Sequence, residues 1–186
     1  VKAKALSLFI NGYLAHTKDY ISQITMIDAG RLITTYVNAD IDMKSGADVS
    51  MRIEPAKWLN ISLSANTYYS TAEGEFNGAE ISNCGITNNS NIALDFLPCH
   101  GGNIQCQYFI TTPQYFPQLT TALTHQMNVG IKQKLMKGAM TVSVLLTDVF
   151  NTAKWEVSSH NNIFDLKNIS RNKSRMLLSG VSYTFN

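Results

Sequence analysis

Charge is what this sequence has least of. Its 15 Lys and Arg and 13 Asp and Glu make up 15% of 186 residues, against about 25% in soluble domains. A net charge of +2 is not the basic excess of a nucleic-acid-binding chain, so no nucleic-acid partner is expected. No apolar run reaches the roughly 18 residues of a membrane-spanning helix. A charged, apolar, small-residue leader is missing too, so a signal peptide is expected to be absent or removed, and the strand-like opening at Val1 suggests a fragment. The three cysteines, Cys84, Cys99 and Cys106, give no even disulfide framework. Cys99-His100 with Cys106 has poor spacing and no second ligand pair, so neither a metal site nor any other cofactor is expected. Asn60-Ile61-Ser62 and Asn168-Ile169-Ser170 match a glycosylation pattern too short to carry weight.

What the chain does have is alternation. Hydrophobic residues are 45% of the total, and Asn, Ser, Thr and Gln replace the missing charge. Successive strand residues point to opposite faces. In Arg175 to Phe185 one row reads Leu177, Ser179, Val181, Tyr183, Phe185, and the other reads Met176, Leu178, Gly180, Ser182, Thr184. Trp58 to Tyr69 alternates most cleanly, with Leu59, Ile61, Leu63 and Ala65 opposed to Asn60, Ser62, Ser64 and Asn66. A helix would scatter these residues around its circumference.

The same reading makes strands of Ala5 to His16, Leu32 to Glu54 (bulged or bent near Asn38 to Gly46), Asn91 to Leu97, Asn103 to Thr112, Thr121 to Leu135 and Gly138 to Phe150. Thr17 to Arg31, Ser70 to Ser90, Pro113 to Thr120 and Asn151 to Lys173 read as longer connections. The turns near Pro55, Pro98 and Lys137 are tight. Connections that alternate between short and long, with polar rows rich in uncharged side chains, suit an outer-membrane barrel with short periplasmic turns and longer outer loops. A soluble sandwich does not sort its turns in this way. The expected fold is all-β: an antiparallel up-and-down transmembrane β-barrel segment of about eight strands. Residues 1–186 form one unit, the C-terminal part of an outer-membrane barrel domain.

Lys132-Gln133-Lys134-Leu135-Met136-Lys137-Gly138 leading to Thr147-Asp148-Val149-Phe150-Asn151-Thr152 resembles the C-terminal signature of TonB-dependent outer-membrane receptors, and within them the outer membrane beta-barrel subfamily. Other pieces follow in the family's order: Tyr36-Val37-Asn38, Gly46-Ala47-Asp48, Pro55 with Trp58-Leu59, Pro113 with Pro117-Gln118, and Val181 to Phe185. Family members often carry Glu where this chain has Asp48. Their last strand usually ends at the aromatic, whereas Asn186 follows Phe185 here. The resemblance implies part of a ring of about 22 strands closed around a plug.

It also implies active import of a scarce nutrient. The partners would be outer-membrane lipid, the TonB energy-transducing complex through a part of the protein absent here, and a small-molecule, glycan or peptide ligand. Loop aromatics and a histidine, Tyr115, Phe116, Trp155 and His160, are the candidate ligand contacts. A complete eight-strand barrel serving as an anchor or adhesion protein is the alternative. An enzyme is not expected, because catalysis needs a nucleophile and base held together. His125 sits on an apolar row without a carboxylate or serine at suitable spacing, and His16, His100 and His160 are scattered.

Overall fold

A computed structural model describes residues 5–76, 79–98, 100–160 and 165–185. The elements are β1 (Ala5–Asp28), β2 (Arg31–Ala56), β3 (Leu59–Phe76), β4 (Ala79–Phe96), β5 (Gly102–Thr111), β6 (Thr120–Thr121), β7 (Thr124–Leu135), β8 (Met140–Thr147), β9 (Trp155–His160), β10 (Asp165–Ser170) and β11 (Met176–Tyr183). Eight of them form one antiparallel sheet in the order β1-β2-β3-β4-β5-β7-β8-β11, and a second sheet has the order β10-β9-β6. The all-β barrel-type class is as expected. The strand count is eleven rather than about eight, because the outer connections contain strands of their own.

Sequential antiparallel order sorts the connections by rim. The turns at Lys57–Trp58, between β4 and β5, and at Met136–Gly138 share one rim with the end of β11. Aromatic pairs mark this rim: Trp58 meets Phe96 edge-on at 5.4 Å and Tyr183 meets Phe185 at 4.8 Å. The opposite rim holds the β1–β2 and β3–β4 hairpin ends and the connections from β5 to β7 and from β8 to β11.

Two expected loops are largely strand. Thr17 to Arg31 continues β1 to Asp28 and closes in a two-residue turn, Ala29-Gly30, with φ of 46° and 77°. Both left-handed residues match a type I′ turn, which follows the twist of the flanking strands. Ser70 to Ser90 continues the β3–β4 ladder, from Ser70↔Gly85 to Phe76↔Ala79. These extensions lack apolar alternation because they rise beyond the apolar band, where backbone ladders and polar cross-strand pairs suffice. β2 pairs with β1 in one register from Ala5↔Glu54 to Asp28↔Arg31, without the expected bulge near Asn38 to Gly46. The irregularity lies between Ile53 and Ala56, around Pro55, where a residue without an N–H is tolerated.

Cross-strand registers align the rows. One face carries Leu8, Met51, Leu63, Ile92, Tyr108, Met127, Val144 and Ser179; the other carries Ser50, Ser62, Asp95, Gln107, Asn128, Ser143 and Gly180. Leu59, Ile61, Val129 and Val142 fall on the apolar face, and Asn60 and Gln126 on the polar one, as the alternation requires. The apolar face is broadly exposed, with Leu14 87%, Leu177 70% and Val181 71% accessible. A patch this extended is not a soluble monomer's surface. The described buried side chains are few, among them Ile24, Ala72, Thr87 and Asp148.

Candidate functional site

The connection from β5 to β7 does not stand off as a free loop. It crosses the polar face as a strap, and side chains of the sheet fasten it along its length. Asn88 N–H donates to Thr112 Oγ1 at 2.7 Å, and Thr87 Oγ1 donates to the Pro113 carbonyl at 2.7 Å. Asn83 Nδ2 reaches the Phe116 carbonyl and Thr120 Oγ1, each at 3.0 Å. Pro113 and Pro117 preset φ and remove two donors, which lowers the cost of ordering the segment. Tyr115 lies so close against Gly85 that any Cβ there would overlap its ring.

Gln118 makes the least obvious of these bonds. Its Oε1 accepts from Thr25 N–H at 2.6 Å, and its Nε2 donates to the Thr25 carbonyl at 2.8 Å. A primary amide thus gives the end strand β1 the pair of bonds that a neighbouring strand would supply. At its far end the strap joins the small sheet: Thr120 and Thr121 pair with Ser158 and Val157, and Ala122 N–H donates to the Glu156 carbonyl at 2.8 Å.

Two cavities flank the strap. The larger, about 620 Å³, is walled by Phe116, Leu119, Trp155, Val157 and Leu166, with Thr25 and Lys167 among its polar lining. The smaller, about 200 Å³, lies among Tyr20, Asp42, Lys44, Tyr68, Tyr115 and Phe116. Lys44 Nζ and Asp42 Oδ2 pair there at 2.7 Å, and Lys44 stands 5.9 Å from the centre of the Tyr68 ring. Aromatic walls with a few convergent polar groups are the usual composition of a small-molecule site.

The charges of the small sheet are locally balanced. Glu156 receives Lys154 and Lys167, each at 2.7 Å. The Lys154 and Lys167 ammonium groups pull its carboxyl down to about 2. A second knot closes the outer end of β8, where Asp148, with no exposed surface, takes a left-handed φ of 44°. Its Oδ1 accepts from Thr152 N–H at 2.9 Å, and its Oδ2 accepts from Ala153 N–H at 3.1 Å and from Ser174 Oγ. Asp148 N–H in turn donates to Asn128 Oδ1 at 3.0 Å.

Of the candidate ligand contacts, three come together. Phe116 lines both cavities, Tyr115 the smaller and Trp155 the larger. His160 ends β9 opposite Asp165, and its side chain lies outside the described part of the structure, as does Cys99. His125 is on the apolar face, with Tyr108 Oη 3.0 Å from Nδ1. Among the described residues no three His, Cys, Asp or Glu side chains converge as a metal would need. Sequence reasoning missed Asn83, Gln118 and the fastening role of Thr87, since an isolated polar residue in a polar stretch carries no signal of its distant partner.

Neither curated proteins nor solved structures gave a match to the chain. A family model described as the outer membrane protein beta-barrel family matches residues 1–183, the span that holds the apolar belt, the aromatic rim and the strapped polar face. The chain belongs to the outer membrane protein beta-barrel family, and its place is the outer membrane.

Proposed function

We propose that this chain is a stretch of the wall of a TonB-dependent receptor that imports a scarce nutrient across the outer membrane of a Gram-negative bacterium. The observation that carries this reading is the open sheet, with β1 and β11 at its two ends. An unpaired edge in hydrocarbon leaves backbone groups unsatisfied, at several kcal/mol each. Pairing with further strands of a wider ring removes that cost at both edges. A ring of eight strands fills its own interior with side chains, whereas one of about 22 encloses a lumen. A polar face with an inward strap and aromatic cavities suits the wider ring.

In this reading the wall and its strap meet a small-molecule, glycan or peptide ligand, and Tyr115, Phe116 and Trp155 make contact with it. Energy arrives from the TonB complex through a part of the protein outside this chain. The role is not enzymatic and uses no cofactor or nucleic acid. The apolar-face position of His125, turned away from the cavities, supports this.

Bifunctional thiol crosslinking in native membranes tests the proposal, using Ile10→Cys on β1 and Ser179→Cys on β11 in a chain whose own cysteines are replaced by Ser. The expected result is no intrachain crosslink, together with loss, in a strain lacking the gene, of one nutrient uptake that an uncoupler also blocks. Efficient crosslinking would mark a closed eight-strand barrel, an anchor or adhesion protein, and would overturn the import reading.

A further inference from the structure

We propose that the lipid-facing surface of β1, β2 and β3 holds a seat for one phosphate-bearing lipid of the outer leaflet. This rests on membership of the outer-membrane family and on a groove, and it stands whatever the wall transports. Near the short-turn rim this face is filled, with the rows Leu6–Ile53–Ile61 and Leu8–Met51–Leu63 carrying large side chains on all three strands. Higher up the middle strand becomes small: Gly12–Ala47–Thr67, then Leu14–Ser45–Tyr69. Strands lie about 4.8 Å apart, so Leu14 and Tyr69 stand as two walls about 10 Å apart over a floor of Ala47 and Ser45. The result is a groove of about 400 Å³ lined by Leu14, His16, Met43, Ser45, Tyr69 and Thr71, wide enough for one hydrocarbon chain.

Charge complementarity chooses the occupant. At the outer end of the groove the same row of β1 continues with His16 and then Lys18, both exposed. Glu73 shares the Lys18 row two strands away, across Ile41, so the positive end of the seat is on β1. An apolar furrow leading up to a cation and an imidazole suits a lipid whose acyl chain lies in the furrow and whose phosphate meets Lys18 and His16. A zwitterionic or neutral lipid would fill the furrow without that second contact. A lysine beside an anionic headgroup favours it about fivefold.

Full-length chain in phosphatidylcholine vesicles, with trace spin-labelled phosphatidic acid or spin-labelled phosphatidylcholine, gives the test. The expected result is a motionally restricted fraction that prefers phosphatidic acid about fivefold. His16→Gln with Lys18→Gln should remove the preference and leave the restricted phosphatidylcholine in place. Ser45→Leu, which fills the furrow, should lower the restricted fraction of both lipids. Equal restriction of the two lipids by the unmodified chain would overturn the proposal, as would a preference that survives His16→Gln with Lys18→Gln. Displacement of phosphatidic acid by excess inorganic phosphate would also overturn it, since it would mark a free-anion site. Should Ser45→Leu fail to fold, the comparison of lipids on the unmodified chain decides alone.

Discussion

Replacing Asp148 by Asn should be among the most damaging near-isosteric changes in this chain. The carboxylate is fully buried and accepts from Thr152 N–H, Ala153 N–H and Ser174 Oγ, which joins the end of β8 to the segment leading into β11. Thr147 Oγ1 reinforces the junction by donating to the Ser174 carbonyl at 2.6 Å. Asn keeps the shape but turns one acceptor oxygen into a donor that faces donors. Hydrogen bonds to a charged group contribute about 1.5–3 kcal/mol each, and an orphaned buried donor costs about 1–3 kcal/mol. With partial relaxation the net loss should be about 2–4 kcal/mol.

Burial alone would push the Asp148 carboxyl up, but the bonds from Ser174, Thr152 and Ala153 outweigh it and hold it below its ordinary value. Stability from a depressed carboxylate is present above the unfolded value, about pH 3.9, and is lost as pH falls through the folded one. Urea unfolding of the full chain in detergent, read by tryptophan fluorescence, should give a lower midpoint for Asp148→Asn at pH 7. The difference should shrink as pH falls below about 4. An Asp148→Asn chain within about 0.5 kcal/mol of the unmodified one at pH 7, the scale of a neutral surface change, would refute the reasoning.

Gln118→Ala should cost about 1–2 kcal/mol through two lost amide bonds, and hydrogen exchange should show the Thr25 amide opening faster. Gly85→Leu should drive Tyr115 off β4 at about 1–3 kcal/mol, which limited proteolysis would read as new cleavage between Pro113 and Leu119. The Glu156 carboxyl, held near 2 by its two lysines, should keep the β9–β10 hairpin's ion pairs intact above the ordinary carboxylate range and release them as pH falls through about 2. A carbon-detected NMR titration with a midpoint at an ordinary glutamate value would contradict that arrangement. In bilayers, water-soluble maleimide should label Ser62→Cys and Ser143→Cys but not Ile61→Cys and Val142→Cys; the reverse pattern would invert the faces.

The two rows of each membrane strand were legible in the residues themselves. Leu59 to Ala65 against Asn60 to Asn66 is a period of two, and the backbone pleat turns that period into faces with no help from distant partners. The same local logic placed Pro55, Pro98 and Lys137 at short turns on one rim, and brought out the Asp148 to Thr152 motif as a family mark. Tertiary structure alone decided what the polar residues do. Thr17 to Asp28 became strand because β2 offered a matching ladder, and Trp155 to Ser170 became a hairpin because β6 gave it a third strand. Gln118 found Thr25 across 93 positions of sequence, and Asp148 found Ser174 across 26. An amide or carboxylate reads the same whether water or a distant backbone group satisfies it. Only the folded chain brings the two partners within bonding distance.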